Sequence, residues 1–386
     1  MQSVDSTYFL TFTEVKKRIV ISVSNDLSTD QRVQKQCRFL SESGFEIALY
    51  GRKLKDSTPL ERPYFLRRFK LLFNHGFLFY AALNTRLFVA LLFAKADAYY
   101  ANDLDTLPAN YLASLLRRKP LIYDSHEFFT EVPEVQNRPF VKLVWKFFER
   151  ICIRQCDLVL TVSQSIADLL QSTYKLDKVF LVRNVPYERL QINPVSKSEI
   201  GVAEHQFLLL LQGTGINIDR GAEELIEAIT FLDNIFLLII GGGNAMSILK
   251  AKVDRLNLTE KVIFKDKMPF GEMMRYTAAA DLGLSLDKNT NINYKFSLPN
   301  KLFDYALAGI PVLTSDLHEV KKIVEGYNIG DVIDTHDPQV IAQKLESLRS
   351  NKSQLAVYRK NTSALLNELS WEEEYRPALQ KIREIV

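Results

Sequence analysis

Lys301 and Asp304 stand one turn apart at the start of PNKLFDYALAGIPVL, residues 299–313, which reads as a short helix with Pro299 at its head and a Gly-Ile-Pro stop. Leu302, Phe303, Ala306 and Leu307 make its apolar face, so Lys301, Asp304 and Ala308 share the other. A lysine beside a helix N-terminus favours an anion, and the same dipole keeps a first-turn carboxylate ionised. Together they can grip a phosphate and a pair of sugar hydroxyls; the plainer alternative is a solvated salt bridge. A second polar cluster, Asp124, His126 and Glu127, closes the strand-like run LIYDSHEFF. The carboxyl end of a parallel strand is where α/β proteins place chemistry. Glycines form a third group: Gly213-Thr214-Gly215 ends one apolar run, Arg220-Gly221 opens a helix, and Gly241-Gly242-Gly243 ends the next run. Glycine lets backbone N–H groups approach a phosphate. Neither loop is GxGxxG and no acid follows at the dinucleotide spacing, so a Rossmann dinucleotide site is not expected. Asp103-Leu-Asp105 has the form of a metal-binding DxD, but it sits between a strand and a helix, where aspartate serves as a cap.

Strands and helices alternate around these residues. Apolar runs at 18–24, 46–51, 98–102, 120–124, 158–163 and 179–184 are separated by helical stretches, including 29–44, capped by Thr29 or Asp30. After a polar stretch the rhythm restarts at 207–213 and continues at 235–241, 262–266, 282–286 and 311–315. The expected fold class is α/β with two doubly wound domains, residues 1–186 and 187–386, and ligands at the carboxyl ends of the strands facing a cleft. The last helix is expected to pack back on the first domain.

The chain has 386 residues, 47% of them hydrophobic and 25% charged, enough for two cores. Its net charge is +3, with the basic excess in the first half, and no long basic run favours nucleic acid. Three cysteines, Cys37, Cys152 and Cys156, match no metal or redox spacing and read as buried thiols. The N-terminus lacks a signal-peptide pattern, which gives a cytoplasmic expectation. FLFYAALNTRLFVALLFA, residues 77–94, is apolar, but Arg86 near its centre would cost about 2.5–3.5 kcal/mol in a bilayer, so it reads as a buried or interfacial helix. RPFVKLVWKFFERICIRQ, residues 138–155, carries Arg138, Lys142, Lys146, Arg150 and Arg154 every four residues among aromatics, a pattern suited to an anionic membrane or to an ordinary core helix with a solvated basic face.

Several segments, NDLSTDQRVQKQCRFLSESGFEIALYG, ANDLDTLPANYLAS, LIYDSHEFFTEVPE, RGAEELIEAI, IIGGGN, MPFGEMMRYTAAADLGLSL and PNKLFDYALAGIPVLTSD, resemble family 4 of the glycosyltransferases, the retaining enzymes of GT-B fold. The resemblance implies two Rossmann-like domains, the first holding an acceptor and the second a nucleoside diphosphate sugar. It puts Asp304 in the place of the carboxylate that holds the ribose, Arg220 in that of the basic residue on the diphosphate, and His126 in that of the histidine contacting the transferred sugar. His126, Glu127 and Arg220 are thus the catalytic candidates. Gly213, Thr214, Gly215, Arg220, Gly242, Gly243, Asn300, Lys301 and Asp304 are the donor-binding candidates, with Asp103 and Asp124 on the acceptor side. Two positions depart from the family's pattern: Phe296 stands eight residues before Asp304, where a second acid is usual, and Thr214 follows Gly213, where an arginine is usual. No cofactor or metal is implied. The expected partners are a nucleotide sugar, a saccharide or lipid-linked acceptor and an anionic membrane surface through residues 138–155. A non-catalytic binding or scaffold protein and a sugar-nucleotide epimerase are the alternatives.

Overall fold

The computed structural model describes residues 16–28, 30–55 and 57–386; the first fifteen residues, Thr29 and Asp56 lie outside these. Among the described residues thirteen strands form two sheets. The first contains β1 (Arg18–Asp26), β2 (Glu46–Arg52), β3 (Phe65–Phe69), β4 (Ala98–Asn102), β5 (Leu121–Ser125), β6 (Leu158–Thr161) and β7 (Phe180–Leu181), in the order β3-β2-β1-β4-β5-β6-β7. The second contains β8 (Phe207–Gly213), β9 (Ile235–Gly241), β10 (Val262–Lys265), β11 (Leu282–Ser285), β12 (Val312–Ser315) and β13 (Gly330–Ile333), in the order β10-β9-β8-β11-β12-β13. The β1–β2, β1–β4, β8–β9 and β8–β11 ladders are parallel. Both sheets reverse direction beside their first strand, the doubly wound pattern expected from the alternation of elements.

Central strands are covered on both faces, which explains their unbroken apolar runs. Ile19, Val20, Ile21 and Val23 of β1 and Leu208, Leu209 and Leu210 of β8 are all fully buried. Two strands escaped the sequence reading. β3 falls within ERPYFLRRFK, where alternate residues face solvent, and β13 is four residues long. The 179–184 run, in contrast, pairs over only Phe180–Leu181.

By contacts the chain divides into two compact units, one of residues up to Ile122 with 155–157 and 382–386, the other of 123–154 with 158–381. In the first, the Asp30 side chain accepts from the Val33 N–H and caps helix Gln31–Glu42. The apolar 77–94 segment becomes helix Gly76–Leu92, which buries Phe79, Leu83, Leu87, Ala90 and Leu91. Among the described residues no helix is long and apolar enough to cross a membrane. The cap expected of Asp103 and Asp105 is corrected: the helix starts at Leu107 with Thr106 in the cap position, because Asp103 takes a left-handed turn at φ 60°. Cys37 and Cys152 are buried as expected, whereas Cys156 is half-exposed.

In the second unit, helix Pro139–Cys152 turns Trp145, Glu149 and Cys152 inward. Trp145 meets Phe129 edge-on at 5.2 Å. Lys142 and Lys146 of the basic stripe are ion-paired to Glu131 at 2.6 and 3.2 Å, and Arg138, Lys146, Arg150 and Arg154 stay exposed, as the spacing suggested. Glu149 is fully buried and accepts from the Tyr174 hydroxyl, while its other oxygen lacks a partner. Burial pushes its carboxyl up to about 7. A carboxyl whose folded-state pKa lies above its unfolded value contributes fully at low pH, and that contribution is lost as pH rises through about 7. Glu149→Gln removes the charge and keeps an acceptor for Tyr174. We expect the variant to match its parent near pH 5 and to exceed it by about 3 kcal/mol near pH 8, at about 1.4 kcal/mol per pKa unit, in chemical unfolding at both pH values. Equal stability at pH 8 would refute the burial of a charge there.

Candidate functional site

The candidate site lies within the second unit. β11 delivers its chain to Asp287, whose side chain is entirely buried. Arg220 Nη1 approaches Asp287 Oδ1 at 3.0 Å and Lys301 Nζ approaches Oδ2 at 3.3 Å. Ser285 Oγ donates to Oδ2 at 3.3 Å. The Arg220 guanidinium also lies over the Tyr294 ring, 4.2 Å from its centre. Two cations therefore flank one carboxylate in a site only partly open to water. Burial raises the Asp287 carboxyl, but the ammonium of Lys301 and the guanidinium of Arg220 outweigh it and hold the group below its ordinary range. Burial pulls the Lys301 ammonium below its ordinary value, against the attraction of Asp287. Such a centre suits an anionic ligand whose own charge can join the network.

Helix Asn300–Leu307 carries Lys301 and Asp304 on the expected common face. Asp304 Oδ2 accepts from Gln212 Nε2 at 3.2 Å, and Gln212 Oε1 accepts from Thr277 at 2.7 Å. Gln212, the penultimate residue of β8, thus orients the carboxylate. Asn300 Oδ1 accepts from Asn184 Nδ2 at 2.7 Å.

The glycines divide between two uses. Gly241 has φ 138°, and a Cβ there would lie 1.8 Å from the Gly213 carbonyl; Gly243 has φ 145°, and a Cβ there would lie 2.2 Å from the Ile216 carbonyl. These two let the β8 and β9 loops pack backbone to backbone. Gly242 N–H donates to the Gly213 carbonyl at 3.2 Å. Gly213, Thr214 and Gly215 remain partly or fully exposed, and a Cβ at Gly215 would meet only Asn217 Nδ2 at 3.7 Å. Gly221 caps helix Ala222–Ile229 in a left-handed turn against Leu286. Glu223 and Glu224 in its first turn already answer the positive end of that helix, which leaves the anion to the side chains.

At the end of β5, His126 Nε2 lies 3.5 Å from Asp124 Oδ2, and Asp124 is fully buried. The turn that follows is tied to the short helix Ile292–Phe296: Asn293 Oδ1 accepts from Phe128 N–H at 3.0 Å, and Asn293 Nδ2 lies 3.4 Å from Glu127 Oε2. The structure thus gathers Arg220 and Lys301 around Asp287, and His126 beside Asp124. Asp103 belongs to the first unit. Asp287, Tyr294, Asn293 and Gln212 were missed. Asp287 carried a signal, since it closes the apolar run LGLSL as Asp124 closes LIY.

Comparison with known proteins gives the family. Residues 31–185 match Glycosyltransferase Family 4, and residues 201–364 match Glycosyl transferases group 1. The chain belongs to this glycosyltransferase family. Two relatives are the chitobiosyldiphosphodolichol beta-mannosyltransferases of Candida albicans, 26% identical over 58% of this chain and 52% of its own length, and of Yarrowia lipolytica, 23% identical over 88% and 81%. The chain thus spans about half of the Candida relative. Among solved structures, Anabaena HepE in complex with UDP and glucose superposes with a TM-score of 0.75 at 16% identity, over 95% of this chain and 100% of that one. The two-sheet architecture of this glycosyltransferase is accordingly GT-B.

Proposed function

We propose that this glycosyltransferase moves a sugar from a nucleoside diphosphate donor to a hydroxyl of a lipid-linked saccharide at an anionic membrane surface. The observation that carries the donor assignment is the pair Arg220 and Lys301 held on buried Asp287, with Asp304 on the next turn of the helix. A leaving diphosphate gains charge as the glycosidic bond breaks, and preorganised cations stabilise it without a metal ion. The UDP bound in the HepE structure supports a nucleotide donor, and the names of the fungal relatives support a lipid-linked acceptor.

Retention of anomeric configuration is the reading that the family resemblance favours: the acceptor attacks from the face of the leaving phosphate, with the transferred sugar against His126. Inversion is a second reading. The fungal relatives are named for a β product, which an α-linked donor gives only by inversion, and a histidine beside a buried carboxylate can accept the acceptor's proton.

Membrane contact falls to helix Pro139–Cys152. Phe140, Leu143, Phe147 and Ile151 form an apolar stripe exposed by 77%, 66%, 60% and 41%, with Arg150 on the neighbouring arc. A helix of this kind lies in the headgroup region. Phe147→Ser with Arg150→Gln is expected to cut sedimentation with anionic vesicles at least tenfold, about 1 kcal/mol coming from the charge and more from the ring.

The function is tested with a panel of UDP and GDP sugars and a diphosphopolyprenol-linked chitobiose in anionic vesicles. Nucleoside diphosphate release that requires the acceptor is the expected result, and the anomeric proton of the product separates retention from inversion. Donors bound but never consumed would make the protein a binding module. Isomerised donor without acceptor would make it an epimerase.

A further inference from the structure

Two consecutive residues of helix Ile292–Phe296 reach in different directions. Asn293, 5% exposed, receives the Phe128 N–H and faces Glu127, so it holds the turn that carries His126. Tyr294, 4% exposed, lays its ring under Arg220, which is bound through Asp287 to Lys301. The helix itself is pinned, because the Asn291 side chain accepts from the Tyr294 N–H at 2.8 Å and Ser163 Oγ donates to the Phe296 carbonyl at 2.7 Å. A single peptide unit therefore joins the histidine turn to the cationic centre.

We propose that Asn293 and Tyr294 are a pair of positioning residues that set the distance between His126 and the Arg220–Lys301 cations. The proposal rests on the donor reading above. Neither residue needs to touch the substrate: Asn293 acts through the backbone of Phe128, and Tyr294 through the face it gives Arg220. Transfer requires the sugar's reacting carbon to meet the histidine turn while the diphosphate stays on the cations, and misplacement by about 1 Å is costly in rate. The two residues should consequently fail in different ways. Loss of the Asn293 contacts loosens the turn and lowers the chemical step. Loss of the Tyr294 ring loosens Arg220 and weakens the hold on the phosphates.

The test compares four variants of the full chain, each checked by circular dichroism and thermal melting, with UDP and GDP as binding probes and turnover measured on the active sugar nucleotide. Asn293→Ala and the near-isosteric Asn293→Asp, which keeps an acceptor for Phe128 but cannot donate to Glu127, are expected to lower kcat about tenfold while the nucleotide Kd stays within about twofold. Tyr294→Leu is expected to raise Kd about tenfold, and Tyr294→Phe, which keeps the ring face, to stay within about threefold of the parent. Parental kcat in Asn293→Asp, or equal losses of kcat and Kd in the Asn293 and Tyr294→Leu variants, would overturn the pairing while leaving the donor reading intact. A parent that binds neither UDP nor GDP would overturn the donor reading and the pairing with it.

Discussion

Asp287→Ala is expected to cost about 3–5 kcal/mol of folding stability, the usual penalty for removing one partner of a buried ion pair. Asp287 is completely buried, and its loss would leave Arg220 and Lys301 without the carboxylate that pairs them both in a poorly solvated site. The same change should alter the response to ligand. A nucleoside diphosphate brings anionic oxygens to the two cations, so UDP is expected to stabilise the variant by more than it stabilises the parent. The stabilisation follows RT ln(1 + [L]/Kd), about 2.7 kcal/mol at one hundred times Kd. Thermal melts of both proteins with and without UDP supply the measurement. A variant as stable as its parent would show that the cations are not buried as described. A destabilised variant indifferent to UDP would show that the ligand does not use them.

Why Asp287 escaped the sequence reading is a matter of contact distance along the chain. The two-sheet architecture follows from periodicity, because buried parallel strands leave unbroken apolar runs and helices leave gaps of predictable length. Lys301 and Asp304 were legible for the same reason: both lie on one short helix, and helical spacing alone puts them on one face. The carboxylate that Lys301 meets lies fourteen residues earlier, beyond a polar stretch with no periodicity, and Arg220 meets it from a third segment. Such convergence is a product of sheet order and cannot be read from any one window. The glycines carry a second demand that was not legible: Gly241 and Gly243 are required by the close approach of two loops, a steric need with no local signature. Asp103 misled for a third reason, since its left-handed backbone moves the helix start three residues on.

His126→Ala carries the largest expected effect on catalysis. Its imidazole, mostly buried, sits at the carboxyl end of β5 with Nε2 3.5 Å from the buried Asp124 carboxylate. That carboxylate lies within reach to orient the ring, whichever of two roles the ring plays. In a retaining transfer the ring contacts the sugar as charge develops at the reacting carbon; in an inverting one it takes the acceptor's proton. Either contribution belongs to the transition state, so turnover is expected to fall by roughly two orders of magnitude while nucleotide affinity and melting temperature stay near the parent values. Asp124→Asn then separates the roles. Proton transfer depends on the carboxylate's charge, and kcat should drop nearly as far as in His126→Ala with a shifted pH profile. A sugar-contacting ring needs only to be held, and Asn can hold it, so the loss should be within about tenfold. Unchanged turnover in His126→Ala would remove the histidine from the site, and an equal loss of UDP affinity would make it part of the nucleotide pocket instead.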